Sequence, residues 1–127
     1  MDRKAKIGTI LDDYLAKLTT LGTPEALAFY LEGRGVRAWC RNMHRCALAE
    51  DVTAILSEQG VSNVEITVGG GRIHAMTRRE HVARHTPCVA NKFINRFDAG
   101  YYPTLIHQDD VLGQNRALVR QAVREAS

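Results

Sequence analysis

The chain has 127 residues, 45% of them hydrophobic, and 17 Lys and Arg against 14 Asp and Glu leave a net charge of +3. That length and apolar content suit a single domain, 1–127, around one core. The apolar runs are far shorter than the roughly 20 residues of a membrane helix, and so small a charge excess permits a polyanionic partner without demanding one.

Ile7, Ile10, Leu11, Tyr14, Leu15, Leu18 and Leu21 recur at three- and four-residue steps, which predicts an amphipathic helix with Asp12, Asp13 and Lys17 outward. Gly22 stops it. Thr23 and Pro24 then read as the cap and first turn of a second helix, with Leu27, Tyr30 and Leu31 as its buried stripe and Gly33 or Gly35 as its end. Val36 to Cys40 alternates around Trp39, which fits a short strand or an extended loop. A third helix runs from about Ala47 to Gln59 on Leu48, Val52, Ile55 and Leu56, with Gly60 as its stop and Val61 placed to pack back on it.

Val64, Ile66 and Val68 alternate with polar residues, Gly69-Gly70-Gly71 supplies a turn, and Ile73 and Ala75 alternate again, so a hairpin spans about 64–76. Thr77 and Glu80 have capping-box spacing, which predicts a short helix over 78–85. Thr86-Pro87 reads as the opening of another helix that buries Val89, Phe93, Ile94 and Phe97 and stops at Gly100, before an aromatic turn at Tyr101-Tyr102-Pro103. A last helix begins near Asp109 and carries Val111, Leu112, Leu118, Val119, Ala122 and Val123, with Arg120 and Arg124 near its negative end. The expected fold class is α+β: four to six helices packed on a small antiparallel sheet, with 36–40 as a third strand.

Cys40, His44 and Cys46 form a C-x3-H-x-C loop of zinc-type or iron-type ligands. A closed site needs a fourth ligand, for which Cys88, His74 or a water would have to serve; the alternative is two buried thiols and a solvated imidazole with no cofactor. Cys46 and Cys88 each precede or open a predicted helix, near Arg45 and Lys92, where a lowered thiol pKa would make them, with His44, the candidates for catalysis. His81 and His85 are four apart, but Glu80 precedes them, so the His-Glu-x-x-His order of zinc proteases is not met. With Arg78, Arg79 and Arg84 they make the most basic segment, a surface for a protein partner or for phosphates. The odd count of three cysteines and an N-terminus reading Met1-Asp2-Arg3-Lys4 predict reduced thiols in a cytoplasmic setting.

Cys46-Ala47-Leu48-Ala49, opening a helix after a short strand, and Phe93 to Leu105, reading Phe-Ile-Asn-Arg-Phe-Asp-Ala-Gly-Tyr-Tyr-Pro-Thr-Leu, resemble small uncharacterised proteins of actinobacteria and their phages. In those the first motif usually reads Cys-Pro-Leu-Ala, and here alanine replaces the proline. The resemblance covers roughly residues 23–105 and implies a scaffold and a bacterial setting, with no activity or cofactor attached. The expectation for function is a non-enzymatic interaction or regulatory module that binds a protein partner or itself through Arg78, Arg79, His81, Arg84, His85 and Trp39. A metal- or thiol-dependent small enzyme on Cys40, His44 and Cys46, and a nucleic-acid regulator on the Arg78–His85 segment, are the alternatives.

Overall fold

The computed structural model describes residues 2–126. Asp2 caps α1 (Arg3–Leu21), its Oδ1 accepting the Ala5 N–H at 2.7 Å. Thr23 caps α2 (Pro24–Gly33), its Oγ1 accepting the Ala26 N–H at 3.1 Å. Each cap satisfies a donor that a helix start leaves without a partner. α3 (Ala47–Glu58) buries Leu48, Val52 and Leu56 and closes with the Val61 N–H donating to the Leu56 carbonyl at 2.8 Å. Val61 then turns back into the core, the apolar contact such a helix end favours.

β1 (Glu65–Gly69) and β2 (Arg72–Met76) pair antiparallel across Gly70-Gly71, whose φ angles are +62° and +76°. Glycine enters that two-residue hairpin turn without strain. The helix expected over 78–85 does not form: Arg78 and Arg79 occupy a turn, and β3 (His81–His85) pairs antiparallel with β2. Thr77 and Glu80 make half of a capping box: the Thr77 hydroxyl accepts the Glu80 N–H at 2.9 Å, but the Glu80 carboxylate accepts from that hydroxyl at 2.7 Å and not from the Thr77 N–H. The Thr77 N–H donates instead to the Glu80 carbonyl at 3.0 Å, which closes a reverse turn. The Thr hydroxyl's bond to the N–H three residues on serves a helix start or a chain reversal alike, and burial of Val82 opposite Ala75 decides for the strand.

Sheet order is β1-β2-β3, so 36–40 is not the third strand. It runs instead beside 105–107, where the Ala38 N–H donates to the Leu105 carbonyl at 2.8 Å and the His107 N–H to the Ala38 carbonyl at 2.7 Å. α4 (Cys88–Asp98) is capped by Pro87 rather than Thr86, whose hydroxyl donates to Asn91 Oδ1 at 2.6 Å. Its Phe93 and Phe97 are fully buried, and Tyr102 stacks on Phe93 at 5.1 Å. A short 3-10 turn, Pro103–Leu105, leads to α5 (Val111–Ala126). Thus five α-helices and a three-stranded antiparallel sheet make an α+β fold among the described residues. α1 and α3 cover the sheet face that carries Ile66, Val68, Ile73, Ala75 and Val82, and α2 packs on α4 behind them.

Candidate functional site

The cysteine loop is fastened down by burial. The Cys40 thiol donates to the Phe97 carbonyl at 3.2 Å, Cys46 lies beneath the start of α3, and His44, more than half exposed, sits 3.1 Å from the Glu65 carboxylate. Among the described residues no three or more His, Cys, Asp or Glu side chains are grouped to hold a metal ion. The helix start does not activate Cys46: burial outweighs the backbone N–H groups of Ala49 and Leu48 and pushes the thiol up to about 11. Burial, followed by the nearby Asp110 and Asp98 carboxylates, pushes Cys40 up to about 12. Cys88, at the start of α4, is the exposed thiol of the three.

The Arg78–His85 segment is split by strand alternation. Arg84 points toward α1, where its Nε donates to Asp12 at 2.8 Å and its guanidinium lies over Gly8. His81 and His85 lie on the opposite, uncovered face with Arg72 and His74, and the His74 and His81 rings stack with Nδ1 and Nε2 2.9 Å apart. Diagonal neighbours across a strand pair lie within such reach. Arg78 and Arg79 are exposed at the turn, so the segment does not present one continuous basic face. Trp39 is wedged between His107, stacked at 5.4 Å, and the Arg45 guanidinium at 5.1 Å. Its indole anchors the loop more than it meets solvent.

A buried polar knot ties the end of α2 to α3. Asp51 is fully buried and accepts from Arg34 Nε at 2.9 Å, while Arg34 also reaches Glu58 at 3.1 Å. Burial first, and then the Asp51 charge, hold the Tyr14 and Tyr30 phenols above their ordinary value. The knot already pairs its own cation, so it reads as scaffold.

The feature that sequence reasoning did not single out is the way α5 is mounted. Asp110, itself buried, accepts the Gly113 N–H on Oδ1 at 3.0 Å and the Cys40 N–H on Oδ2 at 2.8 Å, capping α5 and stapling it to the cysteine loop. Gly113 and Ala117, one turn apart, are the helix's buried residues. A Cβ at Gly113 would overlap the Asp110 carboxylate, and one at Gly100 would lie 2.7 Å from the Ala117 nitrogen. Only a helix face of small residues approaches this closely. The large apolar side chains therefore point away: Val111, Leu112, Leu118, Val119 and Val123 are each 63–68% exposed. Apolar periodicity ordinarily marks a helix's buried face, whereas in α5 it marks the outer one. The signal available in the sequence was the Gly113/Ala117 pair, four residues apart, on the side opposite the apolar stripe.

Arg41, Arg116 and Arg120 rim a groove of about 570 Å³ along α5, with Ala99 as its other wall. Arg41 leaves the loop in a left-handed conformation, φ +54°, with its N–H donating to Asp98 at 2.7 Å. The Arg120 guanidinium lies 3.1 Å above the Tyr101 ring. Among the described residues no helix is long and apolar enough to cross a membrane. The chain matches no known protein family, no curated protein and no solved structure.

Proposed function

We propose that this protein is a non-enzymatic interaction module that docks a protein partner on the outward face of α5. The observation that carries the reading is a set of five large apolar side chains, each nearly two-thirds exposed, on the arc of α5 turned away from Gly113, Ala117 and Asp110. Exposed large apolar side chains concentrated on one rigid element mark an interaction surface.

Two sequence-based alternatives have weaker support. A thiol enzyme on Cys46 needs a thiolate that burial suppresses. A nucleic-acid role for the Arg78–His85 segment loses Arg84 to Asp12 and has no Phe, Tyr or Trp to stack on bases.

Site-specific photo-crosslinking in the producing cells tests the proposal. A photoreactive side chain at Leu118 is expected to yield a discrete protein adduct, and one at Lys4 or Arg79 none. No adduct from Leu118, or the same adducts from all three positions, would refute it.

A further inference from the structure

We infer that the partner is an acidic amphipathic helix seated in the groove between α5 and the end of α4. This rests on the α5 docking reading and narrows it to one chemistry.

Leu112, Val119 and Val123 supply an apolar floor along about three turns of α5, and the residues lining the groove include three arginines and no acid. None of Arg41, Arg116 or Arg120 forms an ion pair among the described residues; Asp98 accepts the Arg41 backbone N–H and feels the charges of Arg41 and Arg116 without pairing with either side chain. The floor from residue 112 to 123 is about 16 Å long at 1.5 Å per residue, the reach of apolar anchors at i, i+4, i+7 and i+11 on one partner helix. Cationic edges beside an apolar floor select a rod with an apolar stripe and acidic flanks.

Charge argues against a second copy as occupant. Another α5 would bring Arg116, Arg120 and Arg124 with a single Glu125 to a rim already cationic, on a chain of net charge +3.

The test uses the full chain and a labelled helical peptide of about 18 residues, with Leu at the four anchor positions and Glu and Ala elsewhere. A scrambled peptide of the same composition and a Lys-for-Glu version serve as comparisons, with binding read by fluorescence anisotropy. The acidic peptide should bind about tenfold or more tightly than either, and weaken steeply between about 50 and 300 mM salt. Arg116→Glu/Arg120→Glu should lose the acidic peptide by about tenfold and gain the Lys version, a reversal that unfolding cannot produce. Leu112→Ser/Val119→Ser should weaken both, with unchanged circular dichroism.

Equal binding of all three peptides, or no reversal by the charge swap, overturns the inference. So does an equally tight single-stranded oligonucleotide or anionic vesicle that displaces the peptide. A monomer–dimer equilibrium abolished by Val119→Ser would assign the groove to a second copy. In each of these outcomes a specific adduct from Leu118 keeps the α5 reading, and its absence removes both.

Discussion

Replacing Asp110 should cost more stability than its place in a loop suggests. Its carboxylate is 5% exposed and accepts two backbone N–H groups, from Cys40 at 2.8 Å and Gly113 at 3.0 Å. A hydrogen bond to a charged group contributes about 1.5–3 kcal/mol, and the buried donor left behind carries its own desolvation cost. Because both bonds share one carboxylate they do not simply add, and Asp110→Ala should lose about 3–4 kcal/mol, the helix cap included. For a chain of this length that lowers Tm by roughly 10–15 °C. Asp110→Asn, which keeps Oδ1 as an acceptor but turns an amide N–H toward the other donor, should lose about half as much. Urea unfolding followed by circular dichroism measures both. A loss below about 1 kcal/mol for Asp110→Ala would show that the carboxylate does not hold α5.

Gly100→Ala should destabilise by about 2–3 kcal/mol, because φ is +86° there and the new Cβ meets the α5 backbone; wild-type stability would contradict the close approach. In native protein at pH 8 a thiol reagent should modify Cys88 alone and promptly, with Cys40 and Cys46 reacting only after denaturation; three fast thiols would contradict their burial. Since both buried thiols are raised from the ordinary 9.0, the fold favours their neutral forms, and that stability is complete below pH 9 and lost as pH rises through about 11 to 12. A Cys40→Ala/Cys46→Ala variant should lack that alkaline loss in a urea titration repeated across pH. Arg34→Met, which strands the buried Asp51 carboxylate, should cost about 2–4 kcal/mol; a neutral result in the same unfolding assay would show that the pair contributes nothing.

The sequence reads best where periodicity and end signals agree. The stripe from Ile7 to Leu18 with Gly22 beyond it, and the Val64–Met76 alternation around three glycines, gave α1 and the hairpin directly. Thr77 and Glu80 misled because a Thr hydroxyl accepts the N–H three residues on at a helix start and in this reverse turn alike. The choice rested on Val82 finding Ala75, a partner set by the sheet and not by neighbours in sequence. The cysteine loop was legible as buried thiols. Its attachment to Asp110, 70 residues away, was not, because nothing local to Asp110 distinguishes a stapling carboxylate from a solvated cap. The outward stripe of α5 was hidden by the usual rule that apolar means inward, and only the two small residues opposite it point the other way.

The most direct measurement is methyl relaxation by a soluble paramagnetic chelate, recorded on the wild-type chain. The methyl groups of Leu112, Leu118 and Val119 should be relaxed strongly, while those of Val52 and Leu105, which are fully buried, stay protected. Protection of the three α5 residues equal to that of Leu105, in dilute monomeric protein, would mean that the helix turns its apolar stripe inward, contradicting the docking face.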